Sequence, residues 1–291
     1  MRVLLFGKTG QLGWELERAL LPLGPLTAYG PDEFDLTDLD TLRRVILENR
    51  PQVIVNASAY TAVDLAEKES DLARRINVLA PEGMAVVARE LDAALVHYST
   101  DYVFDGKKNA PYTEQDIPQP LNTYGQTKLE GEQAIAESGA AYFIFRTSWV
   151  YGNSPASFVN KVLEWGRQRE TLKIVSDQMG SPTWARMLAQ ATVLALAQGA
   201  RSPVSFIRAR QGIYHLGGRG VVSRLELAQA ILRLDPRSQE QIVHRVDAAC
   251  TADFPTPAVR PLYTALDCGK FASTFRFSLP PWEQALTLAL G

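Results

Sequence analysis

Short runs of apolar and β-branched residues, Val3–Phe6, Leu26–Tyr29, Val53–Asn56, 95–99 and 142–146, recur through the first 150 residues, with longer amphipathic stretches between them. Runs this continuously apolar suit strands buried on both faces, and such strands come in parallel sheets covered by helices. The intervening segments 11–21, 40–49, 66–91 and 124–137 read as those helices, and Pro81 is predicted to break the third. The chain is therefore expected to be α/β, a Rossmann-type doubly wound parallel sheet over residues 1–150. Its 291 residues are 46% hydrophobic and 21% charged, enough to bury one large core and a smaller second one, which excludes intrinsic disorder.

Past residue 150 the alternation loosens. Segments 157–169, 184–198 and 223–234 look helical, the last opened by a capping box of Ser223 and Glu226. A short strand is predicted over 213–216, and the proline-rich stretch 247–261 reads as an ordered loop or lid. Residues 151–291 are thus expected to form a smaller α/β lobe, mainly for substrate, with about 171–200 returning to the first sheet.

Lys plus Arg total 30 against 32 Asp plus Glu, so there is no basic footprint for nucleic acid or an anionic membrane. No apolar run approaches the roughly 18 to 20 residues of a bilayer span, and the first one ends too early for a signal peptide, so a cytoplasmic protein is expected. Cys250 and Cys268 cannot build a disulfide scaffold, and the three histidines, His97, His215 and His244, are scattered. His97 lies in an apolar strand-like run, where a packed or hydrogen-bonded role outweighs metal ligation.

Directly after the first strand stands Gly7-Lys8-Thr9-Gly10-Gln11-Leu12-Gly13, opening a helix. Glycine permits a tight turn, close approach of bare backbone to a pyrophosphate, and close helix–strand packing, while the helix N-terminus offers N–H donors. The Gly-Lys-Thr triplet also suggests a P-loop, but that motif needs glycine five residues before Gly7, where Arg2 stands. At the end of the second strand, Gly30 occupies the place of the acid that often holds the adenine ribose. Lys8 is either a cation for a 2′-phosphate or simply solvated. NADH and NADPH both stay open. Asp35 is either an adenine contact or a helix-capping carboxylate.

Ser99-Thr100-Asp101 closes the fourth strand, and Tyr124 and Lys128 follow at i and i+4 on one helical face. A phenol titrating near ~10 becomes a useful acid at neutral pH when a neighbouring cation lowers its pKa, and Lys128 is placed to do so. Thr100 could meanwhile hold a substrate carbonyl.

The segments LLFGKTGQLGWEL, VIVNASAYTAVD, VHYSTDYVFDG, NTYGQTKLEGE, FRTSWVYG, VSDQMGSPT and FPTPAVRP together resemble the extended short-chain dehydrogenase/reductases, in their dTDP-4-dehydrorhamnose reductase branch, nearly end to end. The resemblance implies reduction by NADPH or NADH of the C4 ketone of a dTDP-4-dehydro-L-rhamnose. Tyr124 would be the proton donor, Lys128 its activator and ribose anchor, and Thr100 the hydroxyl beside the carbonyl. Gly10, Gln11 and Leu12 would meet the pyrophosphate, with Gly7 and Gly13 also in the cofactor site, Asp35 and Leu36 would meet the adenine, Ala59, Tyr60 and Thr61 the ribose and phosphates, and backbone at Tyr98 the nicotinamide ribose. Asp101, Tyr102 and Trp149 would line the sugar pocket, and Gln178 and Arg260 are candidates for the dTDP group. Asn77 is either an orienting residue or a solvated helix asparagine. Some relatives hold a divalent metal at a subunit contact. Glu15 matches one of its carboxylates, but Arg186 stands at the other, so no metal is expected. The only partner implied is the small-molecule sugar nucleotide, with a homodimer open as the assembly. A sister sugar-nucleotide ketoreductase or epimerase, or a non-catalytic regulatory subunit like that of methionine adenosyltransferase, are the competing functions.

Overall fold

The computed structural model describes residues 1–152, 154 and 157–291. Five strands in chain order, β1 (Val3–Phe6), β2 (Leu26–Tyr29), β3 (Val53–Asn56), β4 (Ala94–Thr100) and β5 (Ala141–Thr147), join the later strand Gly212–His215 in one sheet. From one edge the order is Gly212–His215, β5, β4, β3, β1, β2, and every pairing is parallel. The fold is the predicted doubly wound α/β sheet. Its order reverses at β1 and β3, and in such sheets ligands bind in the crevice beyond the strand ends at that point.

Alternation at period two explains why the strands are apolar throughout. Val3 and Leu5 face one core with Leu188 and Phe271, whereas Leu4 and Phe6 face another with Leu42, Ile46 and Met84. The helices Gln11–Ala19 and Ala185–Ala197 cover the first face, and Leu39–Asn49 and Ala80–Glu90 the second.

Pro81 does not break its helix. The chain runs from the helix Ser70–Arg74 through a wide π turn, Arg75–Leu79, into Ala80–Glu90. Proline has no N–H to give the carbonyl four residues back, and a turn one residue wider accommodates that loss without ending the helix.

A third core, with Tyr151, Val162, Leu172, Trp184, Leu227, Ile231 and Trp282, builds the second lobe. The predicted capping box forms, with Ser223 and Glu226 each bonding the other's backbone N–H. Part of the stretch read as a loop is a strand: Arg245–Ala249 pairs in parallel with Thr171–Val175, and the remainder to residue 261 is loop apart from a 3-10 turn at Thr251–Asp253. Each of these two strands is ambiguous alone. Segment 171–200 divides, because Thr171–Val175 stays in the second lobe while Ala185–Ala197 packs on the first sheet. Among the described residues no helix is long and apolar enough to cross a membrane.

His215, fully buried at the sheet edge, donates from Nδ1 to Tyr112 O at 2.9 Å. Burial, helped by the nearby Arg146 charge, pushes its pKa down to about 3. A folded pKa below the unfolded one gives stability that is complete above the unfolded value, ~6.5, and drains as pH falls towards the folded value. Thermal unfolding should therefore show a loss of about 2 kcal/mol by about pH 5 from this residue. His215→Asn, which keeps a donor for Tyr112 O, should flatten that slope; an unchanged slope would refute the assignment.

Candidate active site

Beyond the ends of β1, β3 and β4 lies a cleft of about 730 Å³. The first turn into it is set by Gly7, whose φ of +91° few side chains tolerate. Gly13 lets the helix Gln11–Ala19 sit against that turn, since a Cβ there would stand 1.8 Å from Gly7 O. Gly10 is different: a Cβ would find its nearest neighbour at 3.5 Å, so its bare backbone serves the cleft it lines.

The predicted site residues line this cleft except Gly13, Tyr60 and Tyr102, and the further candidates Lys8, Asn77, Gln178 and Arg260 also lie outside its lining. Gly13 acts through packing, as above. Tyr60 donates its phenol to Glu69 Oε2 at 2.5 Å, and its backbone N–H and C=O bond Asn77. Tyr102 sets its ring edge-on to Tyr124, with centroids 5.7 Å apart. Asp35 is not a helix cap; its Oδ1 accepts from Thr37 N and Oγ1, both at 2.8 Å, and Asp38 caps the helix Leu39–Asn49. Lys8 is paired with Glu33 at 2.7 Å, and Glu33 also accepts from Gly30 N at 3.0 Å. A cation and an acid thus stand together at the end of β2.

Tyr124 and Lys128 project from the helix Thr123–Glu137, which Asn122 starts by accepting from Gly125 N at 2.8 Å. The Thr100 hydroxyl stands beside the Tyr124 phenol and partly offsets the effect of burial on it. It donates to Asp101 Oδ1 at 3.0 Å, whose other oxygen accepts from Ser148 at 2.7 Å. Burial pushes the Asp101 carboxyl pKa upward. Lys128 is 1% exposed and donates from Nζ to Tyr98 O at 2.6 Å. Here the expectation that Lys128 depresses the phenol is reversed. Burial dominates both groups, raising Tyr124 and lowering Lys128 to about 8. The phenol is consequently held protonated, and the lysine, lowered to about 8, still mainly carries its charge at neutral pH.

Asn77 is wholly buried in the π turn. Its Oδ1 accepts from Tyr60 N at 2.9 Å, and its Nδ2 donates to Tyr60 O at 3.1 Å and Thr127 Oγ1 at 3.1 Å. It therefore clamps the loop after β3 to the helix that carries Tyr124, and the solvated alternative falls. Asn77→Ala leaves those buried groups unpaired and should cost about 2 kcal/mol in denaturant unfolding. Turnover should fall about tenfold as the loop loosens. A stable variant with normal turnover would contradict the clamp.

Trp149 lines the cleft in a left-handed conformation, φ +45°, a strained choice for so bulky a residue and one that marks functional positions. The Arg224 guanidinium stacks 3.6 Å over its ring. Arg224 escapes sequence reasoning because it lies next to an ordinary helix cap, 75 positions beyond the tryptophan it covers. Arg260 pairs with Asp64 at 2.7 Å, which with Asn122 Nδ2 donating to Val259 O at 2.8 Å anchors the proline-rich loop. The buried Nη1 of Arg260 has no partner among the described residues. Gln178 instead bonds Thr251 at 3.1 Å, and Arg186 occupies Glu15 at 3.2 Å.

Whether a dinucleotide suits the cleft can be tested on its unpaired polar atoms. Gln11 Oε1, Ser99 Oγ and Thr147 Oγ1 are buried, line the cleft and lack partners among the described residues. Together with the glycine turn at a helix N-terminus, this donor and acceptor set fits a polar ligand carrying a pyrophosphate.

The family model described as the RmlD substrate binding domain matches residues 1–291. A dTDP-4-dehydrorhamnose reductase of Shigella flexneri is 40% identical over 97% of this chain and 95% of its own length. Among solved structures, a dTDP-4-dehydrorhamnose reductase of Clostridium acetobutylicum superposes with TM-score 0.90 at 33% identity, covering 100% of this chain and 98% of the other. One from Bacillus anthracis, solved in complex with NADP, gives TM-score 0.87 at 33% identity, covering 99% and 98%.

Proposed function

The chain belongs to the RmlD family of dTDP-4-dehydrorhamnose reductases, and from that premise we propose that its cleft reduces the C4 ketone of dTDP-4-dehydro-L-rhamnose with Tyr124 as proton donor. The observation that carries this reading is the convergence of Thr100, Tyr124 and Lys128 at the end of β4, in the same cleft as the glycine turn.

The nicotinamide of NADPH or NADH, when bound, supplies hydride to the carbonyl carbon. Gly7, Gly10 and Gln11 would hold the pyrophosphate at the helix N-terminus, and Asp35 and Leu36 the adenine. Glu33 beside Gly30 suits a free ribose hydroxyl and Lys8 suits a 2′-phosphate, which supports use of either cofactor. Tyr124 Oη, kept protonated by burial, gives its proton to the carbonyl oxygen, while Thr100 Oγ1 orients that oxygen. Lys128 Nζ, one helical turn on, restores the proton.

In the second lobe, Trp149 offers a flat face to the sugar. Arg224 keeps its charge at neutral pH although burial lowers it to about 10, and with Arg260 it supplies positive charge for a diphosphate. Incubating the chain with dTDP-4-dehydrorhamnose and either reduced cofactor should give dTDP-rhamnose and loss of the cofactor's absorbance. No oxidation with either cofactor would sink the reading.

A further inference from the structure

The proline-rich loop that follows Arg245–Ala249 carries an arginine held at one edge and free at the other. Arg260 donates from Nη2 to Asp64 Oδ2 at 2.7 Å, while its Nη1 is buried without a partner among the described residues. Asp64 lies on the short helix Val63–Ala66, just past the predicted cofactor residues 59–61. Its Oδ1 accepts from Ala258 N at 3.2 Å, so one carboxylate grips both the backbone and the side chain of the loop. Asn122 Nδ2 pins the residue next to Arg260 by donating to Val259 O at 2.8 Å.

A second guanidinium stands nearby. Arg224 Cζ lies 3.6 Å from the ring centre of Trp149 and 4.9 Å from that of Phe158, and among the described residues it pairs with no carboxylate. Stacking covers the faces of a guanidinium and leaves its in-plane N–H groups free. Arg224 and Arg260 are close enough for each charge to act on the Tyr102 phenol and for that of Arg260 to act on Arg224. Like charges brought together away from water are costly unless an anion offsets them. The nearby Asp101 is already engaged by Thr100 and Ser148, and Asp64 meets Arg260 at Nη2. The Nη1 edge of Arg260 and the N–H groups of Arg224 are left for an anion from outside the chain.

We propose that Asp64 is a positioning residue for the sugar nucleotide: gripping Arg260 Nη2 and Ala258 N together, it stops the guanidinium from turning and keeps Nη1 directed, with Arg224, at the diphosphate. The role rests on the reductase reading given above. Its sign is opposite to that of simple electrostatics. A carboxylate near a phosphate repels it, so deleting that charge alone tightens an anion. Deleting a grip that positions the phosphate's donor weakens the anion instead.

The test is calorimetric binding of dTDP to the full chain saturated with NADPH, which keeps the glycine turn occupied. Asp64→Asn preserves shape, but its amide has one acceptor oxygen for the two donors of Arg260 and Ala258. It should weaken dTDP about tenfold, the scale of one hydrogen bond to a charged group, and leave thymidine, which has no phosphate, within about twofold. In an Arg260→Ala background the same change should cost nothing. Unchanged or tighter dTDP binding in Asp64→Asn would overturn the proposal, as would an undiminished loss in the Arg260→Ala background. An equal loss for thymidine or for NADPH would make Asp64 a general prop of its loop and overturn it too. Should Asp64→Asn not fold, Arg260→Lys replaces it. An ammonium keeps the charge but lacks the second edge, so the same loss of about tenfold is expected, and normal dTDP affinity would defeat the proposal. Inorganic pyrophosphate separates this role from the functional reading. A wild type that binds pyrophosphate through Arg260 but not dTDP counts against the sugar nucleotide alone, with Asp64→Asn still expected to weaken pyrophosphate. A wild type that binds neither overturns both.

Discussion

Replacing Tyr124 with phenylalanine should lower turnover about 10² to 10⁴-fold while leaving the Michaelis constants for both substrates within a few-fold of wild type. The ring stays, so its edge contact with Tyr102 and the shape of the cleft are kept. Only the phenolic hydroxyl beside Thr100 is lost. A group used only as the carbonyl oxygen gains charge should change kcat and not binding. Parallel measurement of cofactor affinity separates the outcomes. Near-normal turnover would remove Tyr124 from the chemistry, and a loss confined to binding would make it a contact residue.

Glu132→Ala should destabilise the protein by about 3 to 5 kcal/mol, read as a fall in the denaturant midpoint. Glu132 and Arg146 form a two-pronged pair, Nε to Oε1 at 2.9 Å and Nη2 to Oε2 at 2.6 Å, with side chains only 1% and 3% exposed. Removing the carboxylate leaves a guanidinium buried without its counter-charge. The pair itself contributes little relative to apolar packing, because the desolvation of both ions offsets their attraction. The double variant Glu132→Leu with Arg146→Met should consequently recover most of the loss. Equal losses in the single and double variants would show that packing, not the unpaired charge, is responsible. Glu132 sits one turn beyond Lys128 on the same helix, so the single variant should also lose turnover through misplacement of Tyr124 and Lys128.

Much of the site is legible from local pattern. Gly7, Gly10 and Gly13 follow a strand and open a helix, and Tyr124 and Lys128 stand one helical turn apart; both arrangements are set by neighbours within a few residues. The strands β1, β2 and β3 are legible end for end for the same reason, since an apolar run between turn residues has few other uses. Pro81 misleads because its rule concerns an ordinary α-helix, and the wider turn at Arg75–Leu79 lies outside that rule.

The amino-acid sequence by itself determines the sheet, the glycine turn and the spacing of the Tyr124–Lys128 pair. Only the tertiary structure decides that Tyr60 turns away, that Asn77 joins the loop after β3 to the helix Thr123–Glu137, that Arg224 covers Trp149, and that Thr171–Val175 finds Arg245–Ala249. Each of these joins segments separated along the chain, so no local period encodes it. The protonation states belong to the same class. Tyr124 stays a phenol and the Lys128 pKa falls to about 8 because β4 and the helix Thr123–Glu137 exclude water around them. That desolvation exists only once these elements have closed on one another.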